Sequence, residues 1–142
     1  HTTTRRQRQM CIRDRSNLLN KSQLGWDWFS LHLNNGKKVM LFKVRHASGN
    51  DFLSGSWINQ DGTQKQLNDS EIKLEETAYS TVKGRKIPTK WKISFLGKNR
   101  LTINTEALNI HSWMGTSFPY WEGPISFSGD LSGVGYLEMT GY

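Results

Sequence analysis

Alternating apolar and polar positions recur along this chain in short runs. In WKISFL (91–96), Trp91, Ile93 and Phe95 alternate with Lys92 and Ser94. A period of two places the apolar side chains on one face of a β-strand. Because no segment shows the 3.6-residue apolar period of a helix over a useful length, the pattern predicts an all-β domain.

Residues that favour tight turns separate these runs. Asn34-Asn35-Gly36 and Asp61-Gly62 are hairpin signals, because these residue types tolerate a positive φ. In contrast, TVKGRKIPT (81–89) is predicted to be a polar loop. About nine strands at this spacing indicate an antiparallel sandwich or barrel, and their aromatic residues favour a barrel of about eight or nine strands. The predicted strands are 26–33, 39–45, 54–59, 63–67, 72–79, 91–96, 100–107, 121–129 and 134–142.

The first fifteen residues have no such pattern. They contain an arginine-rich stretch, RRQRQMCIRDR (5–15), of a kind that could neutralise phosphates. Back-translated in one frame, however, it resembles the adapter of transposase-based sequencing libraries, and flanking primer and index bases account for residues 1–4. We therefore interpret residues 1–15 as a non-native, disordered segment and exclude them from reasoning about the fold.

The charge of the chain depends largely on that segment. The whole chain has 19 basic and 12 acidic residues and a formal net charge of +7, whereas residues 16–142 keep 14 and 11, a net charge of +3. We therefore expect no nucleic-acid partner, and expect turn lysines such as Lys37 and Lys38 to be solvated. The only cysteine, Cys11, also lies in the segment, which excludes a thiol enzyme in the remainder.

Most templates for catalysis or metal binding are missing from the sequence. There is no G-x-S-x-G nucleophile motif. His32, His46 and His111 occur singly, without H-x-H or H-E-x-x-H spacing, so neither a metal site nor a cofactor is predicted. The glycine-rich stretch 129–135 is not followed by Gly-Lys-Ser/Thr, and it is expected to form a hairpin turn.

Acidic residues in aromatic strands are the remaining candidates for catalysis. Asp27 lies between Trp26 and Trp28, and Glu122 follows Trp121. Strand alternation predicts that Asp27 faces away from both adjacent tryptophans. A carboxyl group buried in a barrel would have a raised pKa, which suits proton donation. The alternative is that each carboxylate is solvated or accepts hydrogen bonds from a neighbouring strand or loop.

Five segments carry a resemblance to a known family. They are GWDWFSLHLNNGKKVMLFKVR (25–45), the turn at 61–63, IPTKWKISF (87–95), YWEGPISFSG (120–129) and GVGYLEMTGY (133–142). In this order they resemble the C-terminal domain of the AttH/CrtC-like family, whose members are related to carotenoid 1,2-hydratase and are often called predicted secreted hydrolases.

The resemblance implies a lipocalin-like (calycin) β-barrel that forms the second of two tandem domains. Residues 16–142 would be this C-terminal domain, and an N-terminal lipocalin-like domain of the same chain would precede it as its partner. The family also implies a bacterial envelope protein that is periplasmic, secreted or lipid-anchored.

Binding of an apolar or amphipathic small molecule, in or beside the barrel, is the function that these features favour. The candidate ligand-binding residues are large aromatic side chains: Trp26, Trp28, Trp57, Trp91, Trp113, Tyr120 and Trp121. The alternative is that the tryptophan rings simply fill the core.

Two other functions stay open. The first is an enzyme of hydratase or hydrolase type, with Glu122, His111 and Asp27 as candidate catalytic residues at the interface with the preceding domain. For the carotenoid hydratase branch, the resemblance implies a proton-donating Tyr-Asp pair on the strand after the W-D-W region. That strand reads VMLFKVR here, without a carboxylate, so the general AttH-like branch fits better. The second is an envelope scaffold associated with a membrane transporter.

Overall fold

A single antiparallel sheet dominates the computed structural model, which describes residues 23–97, 100–115 and 119–142. The segment interpreted as non-native, residues 1–15, lies outside the described residues. Within them, ten strands are present: β1 Gln23–Leu33, β2 Lys38–His46, β3 Phe52–Ile58, β4 Gln64–Leu67, β5 Ile72–Val82, β6 Arg85–Phe95, β7 Leu101–Ala107, β8 Trp113–Met114, β9 Tyr120–Gly129 and β10 Gly133–Met139. One 3-10 turn, Asp69–Glu71, connects β4 to β5.

The strands lie in the order β4-β3-β2-β1-β10-β9-β7-β6-β5, with the short β8 paired to β9. The sheet curls into a half-barrel of the lipocalin-like type, so the prediction of an all-β, antiparallel barrel architecture is confirmed. The two-residue β8 is an addition that the sequence pattern did not predict. No helix in the described part of the chain is long and apolar enough to cross a membrane.

The predicted polar loop at 81–89 is wrong. β5 continues to Val82 and β6 begins at Arg85, so only Lys83 and Gly84 form the turn. Their φ angles of 52° and 73° match a tight hairpin turn with two positive-φ residues. Pro88, which suggested a loop, lies where the β5–β6 register shifts, and such an irregularity tolerates its missing N–H group.

Alternation along β1 divides the apolar residues between two cores. Phe29 and Leu31 enter the main core inside the half-barrel, where Phe29 contacts Trp91 of β6 edge to face at a centroid distance of 5.2 Å. Trp26 and Trp28 point to the opposite face of the sheet, where they pack with residues of β2. Every second residue of β1 therefore faces the interior.

Candidate functional site

Asp27 is a charged residue on the interior face of β1. It is fully buried, with 0% of its surface exposed, and it lies two residues before Phe29 on the same face. The adjacent Trp26 and Trp28 belong to the other core. The prediction that Asp27 faces away from both tryptophans is therefore confirmed.

Both carboxylate oxygens of Asp27 accept a hydrogen bond from a neighbouring side chain. Nε of Arg45 donates to Oδ2 at 3.1 Å, and the hydroxyl of Tyr142 donates to Oδ1 at 2.9 Å. The Arg45 guanidinium carbon also lies 3.9 Å from the centroid of the Tyr142 ring, which adds a cation–π contact. The three side chains thus form one closed unit.

Burial controls the ionisation of this unit. It raises the pKa of Asp27 to about 6, because the charged form loses its hydration. The positive charge of Arg45 and the hydrogen bond from Tyr142 oppose this shift without cancelling it. Burial and the nearby carboxylate also raise the pKa of the Tyr142 hydroxyl, which therefore remains a donor over the physiological range.

A further basic residue extends this unit toward β5. Lys43, directly opposite Asp27 in the β1–β2 register, lies 3.6 Å from Asp51 and 4.0 Å from Glu76, measured between Nζ and carboxylate oxygens. Strand alternation gives Lys43 and Arg45 the interior face of β2, continuing the row of Val39 and Leu41. We call Asp27, Lys43, Arg45, Glu76 and Tyr142 the Asp27 cluster.

The segment after β10 brings Tyr142 to this cluster. Thr140 pairs with the start of β1, since its N–H donates to the carbonyl of Trp26 while its Oγ1 accepts from the Trp26 N–H. Nη2 of Arg45 donates to the Thr140 carbonyl. Gly25 leaves room for this contact, because a Cβ at this position would clash with the Thr140 carbonyl oxygen.

A cavity of about 440 Å³ lies at the opposite end of β1, beyond Leu33. Two aromatic rings from distant strands meet in its lining: Trp57 of β3 and Phe95 of β6, edge to face at 5.6 Å. The volume is within the range of about 300–1,000 Å³ that is typical of small-molecule sites. We call this the end cavity; its lining is Asn35, Lys37, Trp57, Lys65, Leu67, Glu71, Phe95, Gly97, Leu101 and Leu131.

The structure does not bring the three candidate catalytic residues together. Asp27 is inside the half-barrel, whereas Glu122 is directly opposite Glu138, which in turn is opposite Trp28 on the outer-facing row. His111 lies exposed in the turn before β8. A catalytic role for any of them stays a prediction.

The seven candidate ligand-binding aromatics also occupy different places. Trp26 and Trp28 lie in the second core, Trp91 and Trp121 are fully buried in the main core, and only Trp57 lines the end cavity. The remaining two, Trp113 and Tyr120, are half-buried on the paired strands β8 and β9.

Sequence reasoning missed Lys43, Arg45 and Tyr142. The signal for the two cations was available, because KVR at 43–45 continues the interior parity of Val39 and Leu41. Tyr142 gave no local signal, since its contact with Asp27 joins residues 115 positions apart. No group of three or more potential metal ligands occurs among the described residues.

The family of this chain is identified from a match that covers most of its length. The AttH-like family model matches residues 14–142. The chain belongs to the AttH-like family. A search of curated proteins finds no match to this AttH-like chain.

Two solved structures share the fold of this AttH-like domain. An AttH protein from Nitrosomonas europaea is 21% identical with a TM-score of 0.77, and the match covers 87% of this chain and 40% of that one. Kievitone hydratase from Nectria haematococca is 15% identical with a TM-score of 0.69, and the match covers 83% and 39%. The chain therefore spans about 40% of the length of each.

Proposed function

We propose that this AttH-like domain binds an amphipathic small molecule in the end cavity. The main support is the composition of the lining, which combines an apolar floor with a charged rim. Trp57, Phe95, Leu67, Leu101 and Leu131 supply the floor. Such a concave, partly apolar site with a few polar groups is the usual form of a small-molecule site.

Trp57 offers the sharpest test of this proposal. Nile red, a neutral apolar dye, is titrated into the chain while its emission is followed, and amphiphiles are then used to displace it. We expect saturable binding that weakens about tenfold or more in Trp57→Ala, because roughly 1.4 kcal/mol of lost aromatic contact corresponds to that factor.

Trp113→Ala is the matched control. Trp113 is also a half-buried tryptophan, but it lies on β8 and is not part of the cavity lining. Binding should change less than twofold in this variant. Absence of saturable binding, or an equal loss in both variants, would contradict the proposal.

A second candidate function is proton transfer by Asp27. It is favoured by the pKa of about 6, which leaves an appreciable protonated fraction near neutral pH, and by the shared fold with a hydratase. Hydration would be detected as an 18-Da mass gain in a panel of isoprenoids, with kievitone included, incubated with the chain. The gain should disappear in Asp27→Asn, and its absence in the wild-type chain would count against this function.

A further inference from the structure

The rim of the end cavity carries positive charge that its own residues leave unbalanced. Lys37 and Lys65 line the cavity, and neither lies within 4.0 Å of a carboxylate oxygen in the part of the chain that the structure describes. The acidic lining residue, Glu71, uses Oε1 to accept the backbone N–H of Asn68 at 3.2 Å. The lining therefore has a net formal charge of +1, with both cations available to a ligand.

The turns around the cavity hold this rim in place. The β1–β2 turn is joined to the β9–β10 turn, because Nδ2 of Asn34 donates to Oγ of Ser132 at 2.9 Å and its N–H donates to the Ser132 carbonyl. On the other side, Nε2 of Gln60 donates to the carbonyl of Asn35. A rim fixed before binding loses less conformational freedom when a ligand arrives.

The position of Lys37 is fixed by the same turn. Its backbone N–H donates to Oδ1 of Asn35 at 3.0 Å, and its carbonyl accepts from Leu33. Lys37 is half-buried, so its apolar stem contributes to the wall while the ammonium group remains accessible. Lys65 lies on β4, the edge strand, in register with Trp57 of the cavity floor.

From this arrangement we propose that the end cavity selects amphiphiles with an anionic head group. This proposal rests on the proposed binding function. The head group, a carboxylate or a sulfate, lies at Lys37 and Lys65. The alkyl chain lies on Trp57, Phe95 and the leucines behind them. The selection arises because an anion gains attraction from both ammonium groups, whereas a cation of equal chain length is repelled by them.

Three ligands of equal chain length separate charge selection from apolar binding. Decanoate, decanol and decyltrimethylammonium are titrated into the chain below their micelle concentrations, with calorimetry as the readout. We expect decanoate to bind about tenfold tighter than decyltrimethylammonium, with decanol between them, and the preference to shrink at high salt.

A pair of double variants assigns the selection to the rim. Lys37→Gln with Lys65→Gln should weaken decanoate binding about tenfold and leave the affinity for decanol unchanged. Lys83→Gln with Lys92→Gln makes the same change of charge at exposed lysines outside the cavity lining. This double variant should leave the binding affinity of both ligands unchanged.

The outcomes distinguish the two proposals. Equal binding of all three ligands, tighter binding of the cation, or an equal effect of the two double variants would overturn anionic selection while the binding function stands. If none of the three ligands binds, both proposals fail.

Discussion

The two ends of the half-barrel interior use charge in opposite ways. At one end, Asp27, Arg45 and Tyr142 satisfy one another in a buried unit. At the other end, Lys37 and Lys65 border an open cavity and make no ion pair with a carboxylate among the described residues. A buried carboxylate depends on its partners to offset the hydration that it loses, whereas an unpaired charge beside a cavity is available for recognition.

Removing the cation from the buried unit should have the largest effect on stability. In Arg45→Met the stem is kept, but Asp27 loses its cationic partner, and breaking a buried pair costs about 3–5 kcal/mol. Urea unfolding at pH 7 measures the loss. Lys90→Met is the control, because Lys90 and Glu106 form an exposed pair worth at most about 1 kcal/mol. Similar losses in both variants would show that the Asp27 cluster does not stabilise the fold.

The pH dependence of stability should depend on Asp27. Its folded pKa of about 6 is above the ordinary value of 3.8 for an aspartate, so the folded state binds the proton more tightly. The stability that this group contributes is therefore present at low pH and is lost as the pH rises through about 6. We expect unfolding free energy to fall by about 3 kcal/mol between roughly pH 4 and pH 7, relative to Asp27→Asn. Parallel pH profiles of the unfolding free energy in the wild-type chain and in Asp27→Asn would contradict this expectation.

A smaller effect is expected when only the Tyr142 hydroxyl is removed. Tyr142→Phe keeps the ring beside Arg45 but deletes the hydrogen bond to Asp27, and a bond to a charged group contributes about 1.5–3 kcal/mol. Chemical denaturation at pH 7 should show a loss near the lower value, because the ionic pair remains. Tyr79→Phe, at an exposed tyrosine, should change stability by less than about 0.5 kcal/mol. No difference between the two variants would exclude a stabilising role for the hydroxyl.

The smallest effect on stability is expected at the end cavity. Lys37→Gln with Lys65→Gln should alter the unfolding free energy by less than about 0.5 kcal/mol, because neither lysine stabilises the fold through an ion pair with a carboxylate in the described residues. Thermal unfolding without ligand tests this. A large loss of stability would mean that these lysines stabilise the fold. It would remove the contrast between the Asp27 cluster and the end cavity.

Local patterns were enough to predict the architecture and the orientation of Asp27. Period-two alternation and turn residues indicate the strands, and the parity of β1 separates Asp27 from Trp26 and Trp28. The pattern failed at 81–89, where a bulge at Pro88 interrupts alternation and a Lys-Gly turn resembles a loop.

The candidate site was less predictable because it depends on contacts that are distant in sequence. Tyr142 reaches Asp27 only after the last strand has paired with the first, and Trp57 meets Phe95 only after the sheet has curled. Counting aromatic residues could not tell which tryptophan borders a cavity. Parity along β2 is a local signal that places Lys43 and Arg45 on the same face as Asp27.

The pairing of the first strand with the last has a consequence for folding during synthesis. β1 lies between β2 and β10, with Asp27 opposite Met139 and Leu33 opposite Gly133. Until residues 133–139 leave the ribosome, one side of β1 has no hydrogen-bonding partner from β10, and the interior that β10 covers is open. Such long-range pairing folds slowly, and a strand edge exposed in the meantime promotes aggregation. We therefore expect the folding of this domain to be completed only after β10 has been synthesised.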